Sequence, residues 1–444
     1  MDLTRKRGVL ALVLALAAGT AFSSSPPPEI PPPSLPSAFE DIDDVPLPDP
    51  DLWQRIRLGF RLDALDSPLV AEQEAWYSSR PEYIKRFRDR GSLYLHYIVE
   101  QVEKRGMPTE IALLPVIESA FNPKAYSRSK ASGIWQFIPS TGKNYGLAQD
   151  WWKDNRRDIV AATDAALNYL QKLHDDFNSW ELALAAYNCG EGCVARAIAW
   201  NQKRGLPTDY ASLEKLPPET RKYVPKLFAV KNIVLAPESY GIELESVPDQ
   251  PYFTEVKAPP KIDVKVAAKL AGMSEDDFTA LNPAHNKAVA SSTGTFIVPV
   301  DHAEAFRTNL ESYDKPLVSW TTYPAKRGES LDAIARRHDI TLVQIKAANG
   351  DLKLDKRGHL RAAGPIMVPM KTAQPVKVAQ LAVNRTTDSP PAATVKARGT
   401  YTVRAGDTLY AIALKHKTSV ESLREVNRLT AATVLHPGLS LQLP

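Results

Sequence analysis

From about residue 51 to residue 235, apolar side chains return every three or four positions. The stretches LYLHYIVEQVEKRGMP (93–108), DIVAATDAALNYLQKLHDDF (158–177) and WELALAAYNCG (180–190) all carry this period. It is the signature of helices with one buried face, so a single mainly helical domain is predicted. Pro108 and Thr109 stand ahead of the next apolar run, and Gly106, Gly142, Gly146, Gly190 and Gly205 punctuate the pattern as helix boundaries. Pro115 falls inside the run that leads to Glu118. There it removes one backbone hydrogen bond, and a kink in that helix is expected.

Beyond about residue 240 the pattern changes to short strand-like segments alternating with compact helical ones. YPAKRGESLDAIARRHDITLVQIKAANG, from Tyr323, aligns without a gap with YTVRAGDTLYAIALKHKTSVESLREVNRL, from Tyr401. Gly328 meets Gly406, Leu331 meets Leu409, the AIA triplets coincide and Asn349 meets Asn427. Each copy closes on a strand-like PIMVP or LSLQLP. IDVKVAAKLAGMSEDDFTALNP, followed by GTFIVPV, fits the second half of the pattern with Asn282 in the Asn position. It counts as a degenerate third copy whose opening strand and Gly are not recognisable. Self-similarity of this kind means tandem modules, each a strand, two helices and a closing strand. The fold class expected is α+β, divided as 1–23 signal peptide, 24–50 Pro-rich linker, 51–240 helical domain with an N-terminal leader, 255–302 degenerate module, 320–370 module, 371–399 flexible linker and 400–444 module.

A chain of 444 residues is too long for one core, in keeping with several domains. Arg5, Lys6 and Arg7 precede an apolar run from Val9 to Ala18, and small residues follow, which reads as an export signal cut near Ala21 or Ser23. No cysteine lies near this point to take a lipid. A secreted or periplasmic protein is expected, with a retained signal anchor as the alternative, and membrane association stays open. With 55 Lys and Arg against 51 Asp and Glu, the formal charge of +4 gives no reason to expect nucleic acid as a partner. The two cysteines, Cys189 and Cys193, lie in YNCGEGCV. Either they pair in an oxidising compartment or they stay as two reduced thiols at a helix end. No further Cys or His stands at ligand spacing, so neither a metal nor another cofactor is expected.

The chemistry centres on LLPVIESAFNP, 113–123. Glu118 is a lone carboxylate among Leu113, Leu114, Val116, Ile117 and Phe121, near the C-terminal end of its helix. Desolvation and the negative end of the helix dipole both favour the neutral acid, the form a general acid needs. The plainer alternative is that Glu118 turns to solvent at a helix end. The Gly-, Ser- and Trp-bearing SRSKASGIWQFIPSTGKNYG that follows has the character of a cleft wall rather than a core helix.

The pair Glu118-Ser119, the segment GIWQFIPSTG with Gly133 and Gln136, the triplet Ala186-Tyr187-Asn188, and PPETRKYVPKLFA together resemble the soluble-lytic-transglycosylase type of lysozyme-like domain. In order and spacing they are similar to the membrane-bound lytic murein transglycosylase D branch, and the repeats resemble LysM modules. The resemblance implies a peptidoglycan lytic transglycosylase that acts on glycan strands as a monomer. Glu118 would be the sole catalytic acid and base. Gln136 and the backbone at Gly133 would line sugar subsites, Tyr187 would sit by Glu118, and Asn188 would hold the loop or touch sugar. Glu219 and Tyr223 would complete the cleft wall, and Ser119 would give a supporting contact. The plainer alternatives are packing for Tyr187 and Tyr223, and loop stabilisation for Gln136. Trp135 stands where the family often has Met, either to stack on a sugar or to fill the cleft floor.

No motif carboxylate matches the second acid of an ordinary glycosidase. Asp150, Asp154, Asp158 and Asp164 lie downstream, and Asp158 and Asp164 fit a solvated helix face. The resemblance implies instead that the muramoyl 6-hydroxyl is the nucleophile, closing a 1,6-anhydro ring, and that the LysM-like modules hold the enzyme on the cell wall. The competing readings are a hydrolytic muramidase and a wall-binding protein without activity.

Overall fold

The computed structural model describes residues 51–291, 295–350, 352–370, 399–404, 409–416, 418, 420–427, 429 and 438–443. The expected signal peptide, the Pro-rich linker and nearly all of the 371–399 linker lie outside the described residues.

The helical part runs α1 (Leu52–Leu58), α2 (Pro68–Ser78), α3 (Pro81–Gly91), α4 (Leu95–Lys104), a 3-10 segment (Thr109–Leu113), α5 (Leu114–Ser119), α6 (Pro139–Asn144), α7 (Ile159–Phe177), α8 (Trp180–Cys189), α9 (Glu191–Gln202) and α10 (Pro218–Leu235). Local sequence sets the ends. Asp158 caps α7 by accepting from the Ala161 amide at 3.0 Å, Asn178 closes it in a left-handed turn (φ 49°), and Ser179 at once caps α8 from the Leu182 amide at 3.2 Å. Asp158 is therefore a helix cap and not part of a solvated face as expected, whereas Asp164 is exposed.

One core takes in side chains from Leu52 to Phe253 and extends to Leu281 and Ile297 of the chain beyond. At its centre α10 buries Val224, Leu227, Phe228, Val230, Ile233 and Val234 against α2, α5 and α8. Each such side chain contributes about 1.5–3 kcal/mol by leaving water. A buried carboxylate fixes the loop after α1: Glu110 accepts the Arg61 and Leu62 amides at 3.0 and 2.9 Å, and the Lys231 ammonium of α10 lies 3.5 Å away.

The modules follow as β1 (Phe253–Lys257), β2 (Lys261–Asp263), α11 (Val264–Leu270), α12 (Glu275–Leu281), β3 (Val289–Ser291), β4 (Thr295–Pro299) and α13 (Ala303–Glu311). Then come β5 (Trp320–Ala325), α14 (Leu331–Arg337), α15 (Leu342–Asn349) and β6 (Gly364–Pro369), and last β7 (Gly399–Thr402), α16 (Leu409–Lys415), α17 (Val420–Val426) and β8 (Ser440–Leu443). First and last strands pair antiparallel in each: β1 with β4, β5 with β6, β7 with β8. The degenerate copy thus has an opening strand after all, FTEVK, and an added inner pair of β2 with β3.

The repeated asparagine acts identically in all three. Its amide nitrogen donates to the helix carbonyl four residues back and to the closing strand, and its carbonyl accepts from the same strand. The bonds run from Asn282 to Phe278 and Ile297 (3.0 and 2.8 Å), from Asn349 to Ile345 and Met367 (2.7 and 3.0 Å), and from Asn427 to Leu423 and Gln442 (2.8 and 2.7 Å).

The first module is bound to the helical domain. The Asp154 amide donates to the Ala284 carbonyl and the Asn286 amide to the Trp152 carbonyl, both at 2.8 Å, and Phe253 meets Tyr97 ring to ring at 5.3 Å. Trp151 and Trp152 also contact a small core of Val289, Ala348 and Met367 that joins the first and second modules.

Candidate active site

Glu118 lies one residue before the end of α5, a six-residue helix. Pro115 sits in its first turn, where the missing N–H costs nothing. The expected interior kink is absent because the preceding turn is 3-10 and the α-helix begins only at Leu114. Ala120 and Phe121 then take left-handed conformations (φ 49° and 54°), and their amides fold back onto the Val116 and Pro115 carbonyls at 3.1 Å. Burial of the Phe121 ring against Gly91 offsets the strain of this exit. The chain thereby leaves its helix sharply, and Glu118 stays at the rim, partly buried.

Three elements meet this rim. From α10, the buried Tyr223 hydroxyl donates to Glu118 Oε1. From α8, Tyr187 donates to the Trp135 carbonyl at 2.8 Å, and Ser119 itself donates to the Ile134 carbonyl at 3.0 Å. Burial pushes the Glu118 carboxyl up to about 7. The Tyr223 hydrogen bond works against that shift, the Glu219 charge adds to it and the Lys226 charge opposes it. Burial holds the Tyr187 and Tyr223 phenols well above their usual range, and the neighbouring Glu118 charge acts in the same sense, so both stay neutral donors.

The 131–137 segment is half core and half rim. Ile134, Trp135 and Phe137 are buried, and the Trp135 indole N–H donates to Thr163 at 3.0 Å. Trp135 therefore fills the floor, and stacking on a sugar is excluded by its full burial. Gly133 (φ 82°) lies so close to the Arg156 carbonyl that a Cβ would sit 2.0 Å from that oxygen. The buried Arg156 side chain in turn donates to the Lys130 and Phe137 carbonyls at 2.6 and 3.1 Å and is paired with Asp154. Gln136 (φ 49°) turns its amide back onto the Gly133 carbonyl at 2.7 Å.

Glu118, Ser119, Tyr187 and Tyr223 are thus brought together, with the exposed Glu219 close enough for its charge to act on Glu118. Gln136 and Gly133 shape the adjoining loop. Asn188 instead accepts from Thr220 at 2.7 Å and ties the end of α8 to α10. Cys189 and Cys193 form a disulfide across the α8–α9 corner, with Gly190 (φ 87°) making the turn. Sequence reasoning missed Tyr83, whose hydroxyl donates to the Val116 carbonyl at 2.9 Å, and the aromatic row of Tyr187, Tyr169 and Tyr145 at 5.5 and 4.9 Å. A Tyr in an apolar helical stripe gives no signal that separates such roles from plain core.

Comparison with known proteins follows the same division. The family described as Transglycosylase SLT domain matches residues 97–207, and that described as LysM domain matches 323–362 and 401–444. The family described as Lytic transglycosylase MltD, LysM-like domain matches 252–315, the degenerate copy. Membrane-bound lytic murein transglycosylase D of Escherichia coli (strain K12) is 34% identical over 410 residues, which cover 89% of this chain and 86% of that protein. The chain belongs to the membrane-bound lytic murein transglycosylase D family. Among solved structures, the 70 kDa soluble lytic transglycosylase SLT70 from Escherichia coli is 25% identical over 31% of this chain and 23% of that one, with a TM-score of 0.27. Outside the 97–207 match, helices α1 to α3 and α10 share the core of this family member, and α10 supplies the phenol on Glu118.

Proposed function

We propose that this lytic transglycosylase cleaves the β-1,4 bond between N-acetylmuramic acid and N-acetylglucosamine in peptidoglycan without water, with Glu118 as its only acid and base. The observation that carries the reading is one carboxyl, raised to about 7 by burial, under a phenol that favours its ionised form. Such a group is an acid and a base in turn near neutral pH.

As the acid, Glu118 protonates the bridging oxygen while the bond to the muramoyl C1 breaks. The substrate N-acetyl carbonyl stabilises the electron-poor sugar. The resulting Glu118 carboxylate takes the proton of the muramoyl 6-hydroxyl as that oxygen bonds to C1, which closes the 1,6-anhydro ring and restores the acid. An intramolecular nucleophile has a high effective concentration. The neutral Tyr187 and Tyr223 phenols help keep water from the site. In this reading Ser119, Gly133, Gln136, Asn188 and Glu219 shape the sugar subsites. The LysM modules bind the glycan, so tethering raises its concentration at the cleft, and the N-terminal signal exports the chain to the periplasm or envelope. Among the described residues no helix is long and apolar enough to cross a membrane.

Mass spectrometry of fragments released from purified sacculi tests the reading, with Glu118→Gln beside the natural protein. Muropeptides one water lighter than hydrolysis products, absent with the variant, are expected. Reducing-end products would overturn it in favour of a muramidase, for which Glu219 is the carboxylate already acting on Glu118.

A further inference from the structure

We propose that Lys226 reads a carboxylate carried by the muramoyl side of the substrate, and so makes the cleft select muramoyl glycan over neutral N-acetylglucosamine polymer. The inference rests on the glycan-cleaving reading for the identity of the ligand, and on the following geometry for the site.

Glu219, Tyr223 and Lys226 stand at spacings of four and three on α10, which places them on one helix face. The middle member puts its hydroxyl on Glu118, so this face is the one turned to the catalytic carboxyl. Both flanking charges reach Glu118, Glu219 raising its pKa and Lys226 lowering it as their opposite signs require, so both lie near it. The helix keeps this register through Pro225. That residue offers no N–H to the Arg221 carbonyl, and the Tyr210 hydroxyl donates there instead at 3.0 Å.

Lys226 is partly buried, and among the described residues it has no hydrogen bond or ion pair. Its neighbours along α10 are engaged: Lys222 pairs with Glu72 at 2.8 Å and Lys231 with Glu110 at 3.5 Å. An ammonium at the cleft with no bonded partner is open to an anion that the ligand delivers. Glu118 is not that anion while it stands as the acid, the form that protonates the bridging oxygen. The group on a muramoyl residue with the right charge is a carboxylate, either the free lactyl group of a peptide-free glycan or one on the attached stem peptide. An N-acetylglucosamine polymer has neither.

The test is binding, measured by calorimetry in the full chain carrying Glu118→Gln, which requires no turnover and so is independent of the cleavage reaction. Three probes are compared with and without Lys226→Gln: a peptide-free muramoyl tetrasaccharide, the same glycan with stem peptides, and N-acetylglucosamine tetrasaccharide. Loss of a charge-assisted contact should weaken at least one muramoyl probe by about tenfold or more, with the neutral probe changed less than twofold. Weakening of the peptide-free probe identifies the lactyl carboxylate, and weakening confined to the stem-bearing probe identifies the peptide. Lys226→Arg should restore most of the affinity. Equal weakening of all three probes, or none, overturns the proposal. An upward shift of the pH profile of cleavage in a Lys226→Gln single variant, with binding unchanged, would likewise leave Lys226 only as a charge acting on Glu118. If Lys226→Gln fails to melt cooperatively, Lys226→Met, which keeps the apolar stem, takes its place.

Discussion

The Tyr223 hydroxyl donates to Oε1 of Glu118, across 105 residues of sequence. Burial favours the neutral acid, while this bond favours the carboxylate. The balance leaves both forms within reach of neutral pH, which a single group serving as acid and then base requires.

Tyr223→Phe removes the donor and keeps the ring. Without it the Glu118 pKa rises above about 7, so the alkaline limb of the kcat/KM profile moves to higher pH. The maximal rate falls, by about 10- to 100-fold, because the carboxylate that must accept the 6-hydroxyl proton has lost its hydrogen bond. Release of anhydro-muropeptides measured from pH 5 to 9 checks this. A limb that stays in place or moves down would contradict the assigned relationship.

Glu118 also costs stability, with a definite sign. Its folded pKa of about 7 lies above the ordinary 4.5. Below pH 4.5 both states are protonated and there is no cost. Between 4.5 and 7 the unfolded chain ionises and the folded one does not, so stability falls as pH rises, and above 7 the full penalty is present. Glu118→Gln abolishes cleavage and removes that penalty. The variant should therefore be more stable than the natural protein by up to about 3 kcal/mol at pH 8, with the difference vanishing near pH 4. Denaturant melts at the two pH values would show it, and equal stability at both would mean that Glu118 is solvated.

Much of this was legible along the chain. The 3.6-residue period of 158–177 marks α7, and the alignment of Asn349 with Asn427 and Asn282 marks three equivalent positions, though not the bonds they make. The apolar run around Glu118 gave its raised pKa. What stayed hidden depended on contacts distant in sequence. Arg156 lies in the polar run KDNRRD and Glu110 just ahead of an apolar run, with nothing local to mark either as buried; both are, because backbone groups from other loops converge on them. The FTEVK strand is too short and too weakly alternating to declare itself, and it becomes a strand by pairing with TFIVP some forty residues later. Asp158 looked solvated because the run after it is periodic, whereas its position before Ile159 makes it the cap.

The asparagine clip offers the last prediction. Asn349 is fully buried, and its side chain makes three bonds, two to Met367 on the closing strand and one to Ile345. Truncation to Ala leaves the Met367 N–H and C=O without partners in a dry site and opens a small void, at a cost of about 2–4 kcal/mol. The core of this module is little more than Leu331, Ile334, Ile345, Leu360, Ile366 and Val368 with small residues between them. A unit of that size has only a few kcal/mol to lose. Asn349→Ala should therefore unfold the 320–370 module while the helical core, which shares none of those side chains, persists. Hydrogen exchange followed by mass spectrometry would show protection lost over α14, α15 and β6 and kept over α7 and α10. Loss of protection in α10 as well would mean that the modules and the helical domain fold as one cooperative unit.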